Sequence, residues 1–123
     1  MDDWTSRIET ALEAAVPGPA GRGIPPLALA AVRGTAASHL LARGIVLTTL
    51  LGRCALAEAE GDCAGDEYRR ELAEAAAAIV ADWQALARLC ARAGVAHEQV
   101  VGEAGESHMA RGVVQLAQRI VAG

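Results

Sequence analysis

Lysine, asparagine and phenylalanine are missing from the 123 residues, and the aromatic side chains are only Trp4, Trp83 and Tyr68. A sheet protein draws more heavily on aromatic and β-branched residues, so an all-α chain with an aliphatic core of Ala, Leu and Val is expected. All eleven basic residues are arginine, and the formal charge is −4. A protein that grips phosphate backbones normally has the opposite balance, so no nucleic-acid partner is expected. Arginine-only usage with an excess of Ala and Gly reads as the coding bias of a high-G+C bacterial genome.

Metal and redox motifs are missing too. Cys54, Cys63 and Cys90 form no CxxC pair and an odd number cannot all pair with one another, so they read as reduced thiols. Neither HExxH nor ExxH occurs. On one helix His97 and His108 would stand roughly 16 Å apart along the axis, too far for one ion, so neither a metal nor a cofactor is expected. No uninterrupted apolar run reaches about eighteen residues, and the start Met1-Asp2-Asp3-Trp4 is acidic where a secretory signal is basic. The expectation is a soluble, cytoplasmic protein with no membrane span.

What is present is helical periodicity. Trp4, Ile8, Leu12 and Ala15 recur every three or four residues behind a cap at Asp3 or Thr5. Pro17 to Pro26 holds all four prolines and three glycines and reads as a connector. Pro26 then opens a central stretch whose only charges up to Ala57 are Arg33, Arg43 and Arg53. At about 100° per residue, Leu40, Leu41, Ile45, Leu47, Thr48 and Leu51 form an apolar arc, with Thr35, Ser38, His39, Arg43, Thr49 and Arg53 opposite. Gly34, Ala37, Gly44 and Gly52 lie on or beside that arc and would let a neighbouring helix approach closely.

Asp66 is the expected cap of a third helix with the seam Tyr68, Leu72, Ala75, Ile79, Trp83, Leu86 and Cys90, ended by Gly94. The last segment carries Val101, Met109, Gly112, Leu116 and Ile120 on its apolar side; it is either one helix or kinked near Gly102 to Gly105, with Ser107 as the second cap. The expected fold is therefore all-α: a single-domain bundle over 1–123 of four main helices, near 3–16, 26–60, 66–93 and 96–122. They are mostly antiparallel, around a long second helix.

Two sets of residues carry candidate chemistry. His39 and Arg43, four apart with Thr35 and Thr49 on the same polar stripe, suit a small anionic ligand held by Arg43, Thr35 and Thr49 with proton transfer at His39. Glu106 falls on the apolar side of a continuous last helix, where a carboxylate would serve as a second acid or base; placed in the kink it would be exposed. Leu89 to Val100 resembles the turn of repressor-type helix-turn-helix domains through Cys90, Gly94 and Val100. Its second helix would present Glu98 and Glu103 and no arginine before Arg111, the wrong charge for DNA.

Two functional classes fit. One is a small helical interaction module or accessory subunit that docks a second copy or a partner subunit through the ridge Gly34, Ala37, Leu41, Gly44 and Thr48. The other is a small enzyme or ligand-binding bundle of a specialised bacterial biosynthetic pathway that uses His39, Arg43 and Glu106.

Overall fold

The computed structural model describes residues 4–13, 26–61, 65–94 and 105–123. Among the described residues there are four helices: α1 (Trp4–Glu13), α2 (Pro26–Glu60), α3 (Gly65–Ala93) and α4 (Gly105–Ala122). They pack on one another with no strand among the described residues, which is the expected all-α bundle around a long second helix. The connector 17–25, Cys63, His97 and the possible kink at 102–104 lie outside the described residues.

α2 and α3 run antiparallel as the two long members. His39 meets Asp82, Arg53 lies over the Tyr68 ring, and Arg69 pairs with Glu58. Their turn is entered through Gly61, whose φ of 68° is a left-handed value that glycine adopts without strain. Gly94 closes α3 at φ 71° with its N–H on the Ala91 carbonyl. Asp66 stands inside the first turn of α3, one place after its start, and its carboxylate accepts from Arg69 at 2.7 Å. It therefore pairs with a side chain in place of the expected cap.

The core consists of two clusters set along the α2–α3 pair. At one end α1 inserts Ile8 and Leu12 between Val32 and Ala36 of α2 and Leu86, Leu89 and Cys90 of α3. At the other, Ala110, Val114 and Ala117 of α4 meet Ala37, Leu40 and Leu47 of α2 and Ala76 and Ile79 of α3. Trp83 packs against both clusters. Complete burial of Ile8, Leu47, Ile79 and Leu86 contributes about 1.5–3 kcal/mol for each side chain. α1 and α4 make no contact with each other among the described residues.

The α3 seam is found as expected, but two faces are turned. On α2 the buried line is Val32, Ala36, Leu40, Gly44, Leu47, Leu50, Cys54 and Ala57, whereas Ile45 is 68 % exposed and Thr48 faces outward. The cause is composition: half of that line is alanine, glycine and cysteine, and Arg43 stands at the edge of the core beside α3, not opposite it. On α4 the buried residues are Ala110, Val114 and Ala117; of the expected apolar side, Leu116 and Ile120 pack partly buried against this cluster, while Met109 and Gly112 are exposed. Small residues that give little hydropathy contrast carry the packing in both helices.

Candidate functional site

Gly44 shows where close approach is used. A methyl group built there would come within 2.5 Å of the Val113 side chain, so its missing Cβ lets α4 settle onto α2. Gly34 and Gly52 have nothing within 4 Å of that position. Of the expected ridge, Ala37 and Gly44 are therefore consumed inside the chain, and Gly34 and Thr48 face out.

One turn N-terminal to Gly44 the polar cluster begins. His39 Nε2 lies 2.6 Å from Asp82 Oδ2, with the two side chains 17 % and 19 % exposed. Arg43 Nε stands 3.4 Å from the same oxygen. The imidazole is covered by Trp4, the two ring centres 4.3 Å apart and their planes 14° from parallel. Three helices thus join at one level: α1 stacks on α2, and α2 bonds to α3. The stack contributes about 0.5–1.5 kcal/mol beyond its burial.

A carboxylate only accepts, so Nε2 of His39 carries the hydrogen toward Asp82. In the neutral ring that leaves Nδ1 with the lone pair, as acceptor or base. Beside the ring lies an open cleft of about 410 Å³, lined by Trp4, Arg7, Thr35, Ser38 and His39. Gly34 and Ala42 form its small-residue floor. The cleft combines an aromatic face, two hydroxyls and a guanidinium, groups that suit a small anionic or hydroxylated molecule.

The structure thus brings His39, Arg43 and Thr35 to one region. Thr49 is elsewhere: its hydroxyl donates to the Ile45 carbonyl at 2.8 Å, and ten residues of helix set it about 15 Å from His39 along the axis. Glu106 belongs to the first turn of α4; its side chain lies outside those described. Two members of the cluster, Asp82 and Trp4, are not found by reading α2 alone. Asp82 had a local signal, a lone carboxylate between Ile79 and Leu86 on the edge of a clean seam, and Trp4 reads from sequence only as a core residue of α1.

Among the described residues no group of three or more His, Cys, Asp or Glu side chains is arranged to hold a metal. Burial pushes the Cys90 thiol above its ordinary range, which keeps it protonated and unreactive. By length and composition alone α2 is long and apolar enough to cross a membrane over Leu27–Glu60, although a third of its most apolar window is buried against the rest of the chain. No family model, curated protein or solved structure matches the chain.

Proposed function

We propose that the chain is a helical interaction module, an accessory subunit that docks another protein surface through the outward face of α2. One observation carries this reading. Ala31, Ser38, Ile45, Gly52 and Ala59 recur every seven residues along α2, all exposed, with exposed Ala42, Thr49 and Leu56 between them. None is charged, and Ile45 and Leu56 are 68 % and 58 % exposed. A seven-residue repeat of small and apolar side chains is the pattern by which one helix packs along another, and depletion of charge is what distinguishes interface centres from ordinary surface. Coding bias supports a bacterial source, and the free, buried thiols of Cys54 and Cys90 suit the reducing cytoplasm.

A photoreactive benzoylphenylalanine in place of Ile45, compared with the same group at exposed Glu74 on α3, tests the reading in cells. An adduct at position 45 that is missing at position 74 is the expected result. No adduct, or equal adducts from both, overturns it.

A second reading is favoured by the cleft beside His39: a site for a small anion, in which Asp82 orients the imidazole and Arg7 of the lining adds positive charge. Thermal unfolding in phosphate or citrate tests it. A rise in midpoint for the wild type that disappears in His39→Ala supports this reading, and equal midpoints with and without the anions overturn it.

A further inference from the structure

We infer that the partner on the α2 face is a second copy of this chain, paired antiparallel about a two-fold axis at Ile45. This rests on the interaction reading above and adds the occupant and its register. In an antiparallel pair centred there, each member of the seven-residue repeat meets another member: Ile45 meets Ile45, Ser38 meets Gly52, and Ala31 meets Ala59. Leu56, the large exposed side chain near one end, then faces Gly34 of the other copy, where nothing lies within 4 Å of a Cβ position. The large Leu56 side chain thus meets open space, and small residues flank the central Ile45 pair.

A parallel pair lacks this fit, because Leu56 would face Leu56 while Gly34 and Gly52 faced themselves. It would also set the two Arg53 guanidiniums side by side, whereas antiparallel pairing separates their levels by sixteen residues, about 24 Å. Helix dipoles favour the antiparallel sense as well. In this register residues 30–60 of the two 35-residue helices overlap, about 46 Å of length and 10 Å of width, so one face from each copy buries roughly 900 Å² in total, close to the size of a specific interface. Closed two-fold pairing uses one patch twice and leaves no open end.

Sedimentation equilibrium and cysteine cross-linking test the inference, the latter in a Cys63→Ser background. The wild type is expected to sediment as a dimer. Ile45→Arg and Gly52→Leu, both at exposed positions with room around them, should weaken dimerisation at least tenfold while leaving the helical circular dichroism unchanged. Mild oxidation should link Ile45→Cys to itself, and Ala31→Cys only to Ala59→Cys, with no dimer from Leu56→Cys alone. Self-linking of Leu56→Cys overturns the register. A wild type that sediments as a monomer at several hundred micromolar overturns the second copy as occupant. In that case an Ile45 photo-adduct with a different protein leaves the interaction reading standing, and no adduct removes both. Co-flotation of the chain with phosphatidylcholine–phosphatidylglycerol vesicles, lost in Ile45→Arg, assigns the face to lipid and likewise overturns the inference.

Discussion

The two ends of the bundle solve the same packing problem with different proportions of small and large side chains. Where α4 joins, Ala37, Ala76, Ala110 and Ala117 stand beside Leu40, Leu47, Ile79 and Val114, and a glycine's hydrogen faces Val113. Where α1 joins, Ala36 and Cys90 are the small members among Ile8, Leu12, Val32, Leu86 and Leu89, with the two tryptophans packed against them. Small residues bring helix axes together and close the space between them; large ones hold the axes apart and fill unevenly. The α1 end accordingly carries open clefts of about 300 Å³ beside Leu12 and Leu89 and about 410 Å³ beside His39, together with the polar tie to Asp82. Both of these clefts open at the end where α1 joins, one of them beside the His39–Asp82 pair.

The largest effect expected is at the bulky end. Leu86 is completely buried, and Leu86→Ala should cost about 3 kcal/mol in denaturant unfolding, within the range for leucine truncation in a core. If the α1 end were as loosely filled as its clefts suggest, the loss would fall well below that, and the contrast would be one of shape alone.

Gly44→Leu tests the opposite end. The added side chain collides with Val113 and should destabilise by about 2 kcal/mol through overpacking. Amide exchange should show protection lost first in α4 and retained in α1. The same substitution is therefore unsuitable as a probe of self-association, since it disturbs the fold directly.

Asp82→Ala should cost about 1–2 kcal/mol, because it leaves His39 and Arg43 without their shared acceptor in a half-buried place. Trp4 emission should change with it, as the stack depends on the ring that Asp82 holds. Asp82→Asn, which keeps an acceptor of the same shape, should restore most of both. An unchanged Trp4 signal in Asp82→Ala would mean that the α1 contact is independent of the α2–α3 bond.

The smallest effect concerns pH. Cys90 is buried at the α1 end and its thiol is raised by desolvation. The unfolded thiol ionises near pH 8.5, so the contribution of this group is complete below that value and is lost as pH rises through the higher folded value. Urea midpoints should therefore fall on the alkaline side more for the wild type than for Cys90→Ala. Equal slopes would show that the site admits water.

How much of this was legible in sequence depends on contrast. The α3 seam was readable because Glu67, Arg69, Arg70, Glu71 and Glu74 mark the wet side around Leu72, Ile79 and Leu86. α2 offers three arginines over thirty residues and many alanines, so its helix was evident and its inward face was not. Arg43 looked like a marker of the wet side, yet its Nε meets Asp82 of α3. For the site, four-residue spacing sets Thr35, His39 and Arg43 on one side of α2, with Thr35 and His39 in the cleft and Arg43 against Asp82. Asp82 stands 43 positions from His39, a distance that only the antiparallel return of α3 closes. Thr49 was grouped by angle around the helix when distance along it excludes it.

The separation of α1 from α4 has a consequence for how the molecule comes apart. Among the described residues these helices make no direct contact, and their coupling runs through α2, α3 and Trp83, which packs against both clusters. α1 is ten residues long, below the length at which a helix persists by itself. It is therefore expected to open as its own unit, releasing Ile8 and Leu12 and unstacking Trp4, while the α2–α3–α4 body keeps its interlock at Gly44. Partial unfolding should then have a fixed polarity, beginning at the α1 end and arriving last where α4 packs on α2.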